Sequence, residues 1–324
     1  MTASDADARA EIGVIGGSGL YDLDGPDGLG ALTDSARVEV ATPYGPPSSP
    51  IVIGTLHGRR VAFLARHGLG HTLLPAEIPA RANIHAFKQL GVERVFAASA
   101  VGSLQPELAP GHAVVPDQLI DRTRSRASTF FGEGLVAHVG FADPFCPELS
   151  RLLVGAARAS DVPAHEGGAL VVIEGPAFST RAESELYRSW HAAIIGMTAL
   201  PEAKLAREAE LCYASLCFVT DYDVWHANEE DVSAELIMRT LRQNANHARA
   251  TLAAAVAALT VLGAEGSGGG ARDCGCGDAL GSALVTAPEL VPATTRIRLG
   301  PLLDRYWGGA ATAEATAPPA GDEA

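Results

Sequence analysis

The hydrophobic and polar positions along the chain are typical of an α/β protein. The most apolar stretch runs from 211 to 219 and follows a helical pattern, which predicts a strand buried on both faces of a sheet. This stretch is followed by Asp221 and Asp223. Because ligands of open α/β sheets bind beyond the carboxyl ends of the strands, we expect these acids to face a ligand. The alternative is that they only cap the next turn.

Apolar residues with the spacing of strands or of helices recur along most of the chain. Alternation over 51–56 and 60–65 predicts a hairpin around His57 and Gly58. Helices are predicted at residues 79–90, 147–160, 180–190, 201–211 and 233–262. Further strands are predicted at residues 11–15, 94–103, 113–120, 166–173 and 192–198. This alternation of strands and helices, without an internal repeat, predicts an α/β fold.

Most of the predicted strands end in residues with binding chemistry. These residues are Ser18, Arg66, His67, Ser99, Ala100, Phe178, Met197, Thr198, Asp221 and Asp223. Hydroxyls, a guanidinium and an imidazole suit an anion, whereas Phe178 offers a flat apolar face and the acids accept N–H groups. The glycine-rich turn at 16–19 is weak by itself, since it is neither a P-loop nor a dinucleotide fingerprint. Together, the strand ends predict a shared pocket for an anion and a flat ring.

Composition and charge narrow the range of partners. The chain has 324 residues, of which 47% are hydrophobic and 19% are charged, as in an ordinary globular protein. Its formal net charge of -14 argues against binding of nucleic acid or of an anionic membrane surface. No apolar run is long enough to span a bilayer, and residues 1–10 lack the apolar core of a secretory signal. We therefore expect a cytoplasmic location.

The five cysteines lie at positions 146, 212, 217, 274 and 276. Their odd number and wide spacing, without a signal peptide, do not predict structural disulfides. Cys274 and Cys276, separated by one glycine, are the exception, because two such thiols can close on each other or bind a soft metal. The simplest interpretation is a pair of reduced thiols in a loop.

An anion site, a flat ring and two acids together suit phosphorolysis of a nucleoside. The motifs with this chemistry resemble those of the 5'-methylthioadenosine phosphorylase family, within the purine nucleoside phosphorylases. The matching segments are Ile15–Leu20, Ala65–Gly68, Glu174–Glu183, Met197-Thr198 with Pro201-Glu202, and Thr220–Asp223. They follow one another in order, and the resemblance covers about residues 11 to 262.

The resemblance implies a single-domain purine nucleoside phosphorylase-like α/β/α fold with a mixed, partly barrel-like central sheet, assembled as a homotrimer or a dimer of trimers. Phosphate would be held by Ser18, Arg66, His67, Ser99, Ala100 and Thr198. The nucleoside would contact Phe178, Ser179, Met197, Val232, Ala234, Ile237, Met238 and, from a neighbouring subunit, His138. The implied partners are the nucleoside and inorganic phosphate as co-substrate; no cofactor and no metal are expected.

The resemblance implies that the two acids are catalytic. As the glycosidic bond breaks, the leaving purine gains negative charge, so its N7 must be protonated or hydrogen-bonded. We assign Asp221 to N7 as a proton donor, which requires its pKa to be raised by burial or by Asp223, and we assign Asp223 to the 6-amino group.

The residues that match the family's 5' pocket are all apolar: Val232, Ala234, Ile237 and Met238. An apolar pocket favours a thioether over a hydroxyl at the 5' position of the substrate. The alternative is that these residues are simply the buried face of a helix.

The predicted reaction is reversible phosphorolysis of S-methyl-5'-thioadenosine to adenine and 5-methylthioribose 1-phosphate. Alternatives on the same scaffold are a 6-oxopurine nucleoside or 5'-methylthioinosine phosphorylase, and a phosphorylase of another 5'-deoxyadenosine. A catalytically silent nucleoside-binding regulator is the alternative outside enzymes. The retained Arg66, His67 and Asp221 argue against it.

Composition divides the chain into five predicted segments. These are a disordered N-terminus at 1–10, the phosphorylase domain at 11–262, a glycine-rich linker with Cys-Gly-Cys at 263–277, a C-terminal packing segment at 278–307 and a disordered tail at 308–324. Cys274 and Cys276 resemble a C-terminal cysteine pair of some heat-stable family members. The resemblance leaves two hypotheses for them, a disulfide or no function.

Overall fold

The structure is a computed structural model that describes residues 9–17, 20, 32–226, 234–263 and 272–307, with side chains of the helix at 234–263 described at 240 and 244–259. Its strands are β1 (Ile12–Gly16), β2 (Thr33–Val38), β3 (Ile51–Leu56), β4 (Arg59–Ala65), β5 (Arg94–Ser103), β6 (Ala113–Val115), β7 (Gln118–Arg122), β8 (Ala164–Glu166), β9 (Ala169–Ile173), β10 (Ile194–Gly196) and β11 (Cys212–Asp221). Its α-helices are α1 (Ala80–Gln89), α2 (Pro147–Ala159), α3 (Arg181–Ser189), α4 (Ala199–Glu208), α5 (Ala234–Gly263) and α6 (Ala293–Trp307). The predicted α/β class is confirmed.

The described strands form one mixed sheet that branches at β5. One path runs β2-β3-β4-β1-β5-β10-β9-β7, and a second continues from β5 through β11 and β6 to β8. β1 is parallel to β4 and β5, and β11 is parallel to β5, whereas β10 is antiparallel to β5. The predicted mixed sheet is confirmed, and the described strands stay open rather than closing into a barrel.

Helices cover both faces of this sheet. On one face, α1, α4 and α6 pack around a core that includes Phe87, Leu205 and Leu299. On the other, α2 and α5 pack around Leu153 and Val256. All ten positions of β11 are buried between these layers, which explains why its sequence is almost continuously apolar. None of the described helices combines the length and the apolarity that crossing a bilayer requires.

Two predicted strands are split in the structure. The pattern at 113–120 is interrupted by Pro116, which has no N–H to donate to a sheet, and therefore forms β6 and β7. The pattern at 166–173 is interrupted by Gly167 and Gly168, whose φ angles of 84° and 97° favour glycine, and forms β8 and β9. The predicted hairpin is confirmed, as β3 and β4 pair in antiparallel fashion around His57 and Gly58.

β5 changes its pairing partner along its length. Its first part pairs with β1 as far as Ala97, and its last two residues pair with the antiparallel β10. Ser99 and Ala100 lie between these two ladders, where the described strands leave this edge of β5 unpaired. The expectation that both residues end a strand was therefore wrong, because β5 continues beside β11 on its other edge. The sheet is therefore open along this edge of β5, between the part that pairs with β1 and the part that pairs with β10.

Candidate active site

A cavity of about 310 Å³ lies where β5 changes partners. The carboxyl ends of β1 and β4 reach it from one direction and those of β9 and β10 from the other, because β10 is antiparallel to β5. Ten residues predicted for the site line it: Arg66, His67, Ser99, Ala100, Phe178, Ser179, Met197, Thr198, Asp221 and Asp223. The fold thus brings together most of the residues that the sequence indicated.

The other predicted residues are not placed in this cavity. Ser18 and Val232 lie outside the described residues, and so do the side chains of Ala234, Ile237 and Met238. His138 is exposed on the long loop between β7 and α2, where its backbone N–H donates to the carbonyl of Ala283 at 2.9 Å. The roles of these six residues stay predictions.

Arg66 is buried and is held by a carboxylate. Its Nε and Nη2 donate to Glu202 Oε1 and Oε2 at 2.6 and 3.1 Å, and its Nη1 donates to the carbonyl of Ala98 at 2.7 Å. Burial lowers the pKa of Arg66, but the ion pair with Glu202 outweighs burial and raises that pKa above its usual value. A guanidinium has five N–H groups, and the described residues engage three of them, which leaves two for an anion in the cavity.

Glu202 and Gly17 are functional neighbours of Arg66 to which the sequence assigned no role. Glu202 also accepts a hydrogen bond from Tyr213 Oη at 2.9 Å, so its charge is fixed under the guanidinium. A Cβ at Gly17 would lie 2.8 Å from Arg66 Nη1 and 2.6 Å from the carbonyl oxygen of Ala98. Glycine is therefore needed there for the guanidinium to pass over the backbone. No local pattern links Arg66 to Glu202, which follows it by 136 positions.

His67 is a neutral imidazole at physiological pH. Its Nδ1 donates to the carbonyl of Leu73 at 2.9 Å, and its ring stacks on His71 with the centroids 4.3 Å apart. Burial lowers the pKa of His67 to about 4 despite that hydrogen bond, and the charge of Arg66 adds to the effect. Because a carbonyl can only accept, Nε2 is the unprotonated nitrogen. Nε2 of His67 is thus an acceptor, so the imidazole that was expected to suit an anion does not add an N–H group to the cavity.

Two hydroxyls complete the polar surface around Arg66. Ser99 Oγ and Thr198 Oγ1 lie 3.4 Å apart. Thr198 precedes α4 but makes no capping hydrogen bond through its side chain, so its hydroxyl can bind a ligand. With the two remaining N–H groups of Arg66, these hydroxyls form a donor set suited to one oxyanion.

Arg126 fixes the segments that follow β9 and β10. Its Nη1 donates to the carbonyls of Met197 and Leu200 at 2.5 and 2.6 Å, and its Nη2 donates to the carbonyl of Glu174 at 2.6 Å. A side chain from the loop after β7 therefore ties together the segments that contain Met197 and Phe178. Sequence reasoning missed Arg126, because main-chain carbonyls leave no side-chain signature.

Asp221 ends β11 with both carboxylate oxygens engaged. Its Oδ2 accepts from Thr220 Oγ1 at 2.7 Å, and its Oδ1 accepts from the N–H of Asp223 at 2.8 Å. Burial raises the pKa of Asp221, and the two hydrogen bonds partly oppose that rise. A Cβ at Gly102 would lie 2.9 Å from Oδ1, so the carboxylate can approach β5 because glycine is present there.

Asp223 is the acid with the unsatisfied oxygen. Its Oδ2 is buried, and no donor in the described part of the chain reaches it at hydrogen-bonding distance. Burial raises the pKa of Asp223 to about 6; the Ser184 hydroxyl opposes this rise and the charge of Asp221 adds to it. Asp223 lies in a turn that Arg181 stabilises by donating to the carbonyl of Val224 at 2.8 Å. Among the described residues, the cavity therefore ends in a buried acceptor with no donor in hydrogen-bonding geometry, although the Ser184 hydroxyl interacts with the same carboxyl.

Sequence comparisons agree with this geometry. Residues 11–258 match the family model of the Phosphorylase superfamily. The chain is 52% identical over 300 residues to the S-methyl-5'-thioadenosine phosphorylase of Koribacter versatilis, covering 93% of this chain and 98% of that protein. It is 53% identical over 299 residues to the protein of the same name from Chloroflexus aurantiacus, covering 92% of this chain and 99% of that protein. These spans reach beyond residue 262, so the similarity includes part of the C-terminal segment.

Solved structures show the same relationship. A methylthioadenosine phosphorylase from an Antarctic soil metagenomic library superimposes with a TM-score of 0.83 at 48% identity, covering 91% of this chain and 99% of that chain. The methylthioadenosine phosphorylase of Schistosoma mansoni in complex with adenine gives a TM-score of 0.73 at 37% identity, covering 78% of this chain and 93% of that chain. The chain therefore belongs to the 5'-methylthioadenosine phosphorylase family, within the phosphorylase superfamily.

Proposed function

We propose that this protein catalyses the reversible phosphorolysis of S-methyl-5'-thioadenosine to adenine and 5-methylthioribose 1-phosphate. The observation that supports it best is one cavity with buried Arg66 beside Ala98 of β5 at one end and, beside Gly102 four residues further along β5, two acids of raised pKa at the other. The reaction uses both ends, because an anion must attack the sugar while the purine leaves with negative charge. Inorganic phosphate is the co-substrate.

Phosphate binds at the arginine end in this proposal. Two N–H groups of Arg66 and the hydroxyls of Ser99 and Thr198 donate to its oxygens. The unprotonated Nε2 of His67 accepts a hydrogen bond from the P–OH group of a monohydrogen phosphate, which keeps its proton, so a neutral ring suits this ligand. Ser18 and Ala100 are predicted to complete the phosphate site, and Met197 to lie against the ribose.

The purine lies at the acid end, against Phe178. The 6-amino group donates to the buried Oδ2 of Asp223, which otherwise has no donor in the described part of the chain. This hydrogen bond favours the ionised form of Asp223, and the resulting charge raises the pKa of the neighbouring Asp221 further. Asp221 is then protonated and donates to N7 as the glycosidic bond breaks.

The same oxygen distinguishes the main rival, a 6-oxopurine or 5'-methylthioinosine phosphorylase. A 6-oxo group is an acceptor, and it would meet the acceptor Oδ2 of an ionised Asp223. The decisive experiment compares kcat/KM for phosphate-dependent cleavage of methylthioadenosine and methylthioinosine. We expect methylthioadenosine to be preferred, and a preference for methylthioinosine would overturn the assignment.

The pH dependence of this preference tests the role of Asp223 separately. Below a pH of about 6 the carboxyl is protonated in the free protein and can donate to a 6-oxo group. The ratio of kcat/KM for methylthioinosine to that for methylthioadenosine should therefore rise as the pH falls through about 6. In Asp223→Asn, which has no titrating group at this position, the ratio should not depend on pH in that range.

We also propose that the protein is a homotrimer in which His138 enters the neighbouring subunit's site near the 5' group. His138 is exposed and is not among the residues that line the cavity of its own chain, which supports a role in a neighbour. This role can be tested by dissociating the variants His138→Ala and Asp221→Asn into subunits, mixing and reassembling them, and measuring the activity of the mixture. Activity restored above that of either variant supports action across subunits, whereas simple averaging of the two activities contradicts it.

A further inference from the structure

Four cysteines from three separate parts of the chain meet at one place. Cys146 directly precedes α2, Cys212 begins β11, and Cys274 and Cys276 lie directly before the C-terminal packing segment. Their four sulfur atoms all lie within 4.8 Å of one another. The fifth cysteine, Cys217, lies elsewhere on β11 and is not part of this cluster. The sequence had drawn attention only to the last pair.

Cys212 is at the centre of the cluster. Its thiol hydrogen-bonds with those of Cys146 and Cys276, and its Sγ lies 3.3 Å from that of Cys274. All four cysteines are free thiols, and a disulfide bond would need a sulfur separation of about 2.05 Å. A tetrahedral zinc site with Zn–S bonds of about 2.3 Å has sulfur atoms about 3.8 Å apart. The separation of 3.3 Å for one pair and the upper limit of 4.8 Å for all pairs bracket this value.

The surroundings of the cluster also suit a metal ion with four thiolates. Cys146, Cys212 and Cys276 are at most 4% exposed, so the site is shielded from water. A zinc ion with four thiolates has a net negative charge, which nearby cations can offset. The Arg272 guanidinium is hydrogen-bonded to the Cys212 thiol and lies near Cys274, and Arg207 lies near Cys276.

We propose that Cys146, Cys212, Cys274 and Cys276 bind one structural Zn²⁺ ion with tetrahedral geometry. Binding displaces the four thiol protons to solvent and changes no oxidation state. With all four positions filled by protein ligands, the site has no open position for a substrate. The site lies at the start of β11, on the order of 30 Å from the acids at its other end, so its role is structural.

Such an ion would fasten the C-terminal packing segment to the sheet and, through this segment, the loop that contains His138. The backbone N–H of His138 donates to the carbonyl of Ala283, and that of Val285 donates to the carbonyl of Val136, both at 2.9 Å. The N–H of Val136 donates to Thr286 Oγ1 at 2.9 Å. Loss of the ion should therefore loosen this pairing as well as the cysteine cluster.

Metal content and spectroscopy test the proposal on the full-length protein. After reduction and removal of metal under anaerobic conditions, titration with Co²⁺ should give the charge-transfer and visible bands of a cobalt tetrathiolate, saturating at one ion per chain. Zn²⁺ should then displace Co²⁺ and abolish these bands. Cys276→Ser should lower the affinity by more than the ~10–100-fold that loss of an outer partner costs. Cys217→Ser, the matched control, should bind as the wild type does.

Thiol counting distinguishes the metal from disulfides, and it needs no variant. Protein purified without reductant and then unfolded with a chelator should show five reactive thiols if zinc protected the cluster. Two disulfides within the cluster would leave one, Cys217, and would overturn the proposal. Absence of stoichiometric Zn²⁺ or Co²⁺ binding by the reduced wild type would overturn it equally. Faster amide exchange at 136–138 and 283–286 after zinc removal would support the structural role.

Discussion

The two ends of the cavity are prepared for the substrate in opposite ways. At the arginine end, the charge of Arg66 is already paired with Glu202 and its geometry is fixed by Ala98. At the acid end, Asp223 keeps a buried oxygen for which the described residues provide no donor. The first arrangement holds a donor set for any oxyanion of suitable size. The second selects for a ligand that brings its own N–H group, so chemistry and base specificity reside at the acid end.

The largest effect is expected from removing the proton donor at the acid end. Asp221→Asn retains the shape of the side chain but cannot protonate N7, so kcat for methylthioadenosine should fall by roughly 10²–10⁴-fold. The KM for phosphate should change little, because the arginine end is intact. Steady-state kinetics with both substrates varied would measure this. Asp223→Asn is the matched control: a larger fall in kcat there would reverse the two assignments, and an equal fall would contradict the difference between them.

The arginine end can be tested by removing the negative charge of Glu202, which pairs with Arg66. Glu202→Gln leaves a buried guanidinium without its counter-charge, which should cost about 3–5 kcal/mol of unfolding free energy. The KM for phosphate should rise as well, since the guanidinium can move. Denaturant unfolding and phosphate kinetics measure both effects.

Glu208→Gln is a suitable control for this substitution. Glu208 is also buried in α4, but it accepts from the neutral donors Thr129 Oγ1 and the N–H of Phe130, both at 2.7 Å. Its replacement leaves no unpaired cation, so we expect a loss of about 1–3 kcal/mol and an unchanged KM for phosphate. Equal losses in the two variants would show that Arg66 does not depend on its counter-charge.

The buried carboxyl of Asp223 should make the unfolding free energy of the protein depend on pH. The pKa of Asp223 rises from 3.8 to about 6 on folding, so the folded state binds the proton more tightly and stability falls as the pH rises between these values. Above about 6, the ionised carboxylate costs up to about 3 kcal/mol. Asp223→Asn should therefore raise the unfolding free energy near neutral pH. This gain should vanish below a pH of about 4, and a gain that persists there would have another cause.

The two ends also differ in how far the sequence predicts them. The apolar run of β11 and the acids that follow it are local features, so both the strand and its ligand-facing end could be predicted. The partner of Arg66 could not, because the pairing with Glu202 depends on how α4 docks. The position of Ser99 inside β5 depends on the antiparallel β10, and strand direction leaves no periodic pattern. The meeting of Cys146 and Cys212 with Cys274 and Cys276 is likewise set by tertiary structure alone.

The smallest effect is expected from Arg126, which acts on the site through the backbone and touches neither end directly. Arg126→Lys keeps the charge but cannot bond the carbonyls of Met197, Leu200 and Glu174 at once. We expect kcat/KM for methylthioadenosine to fall about tenfold, less than the ~10²-fold that a 1 Å misplacement can cost. Because the segments with Met197 and Phe178 contact the nucleoside, its KM should change more than the KM for phosphate. Arg126→Met should lose more activity than Arg126→Lys, and equal losses would show that the charge-assisted hydrogen bonds do not position the site.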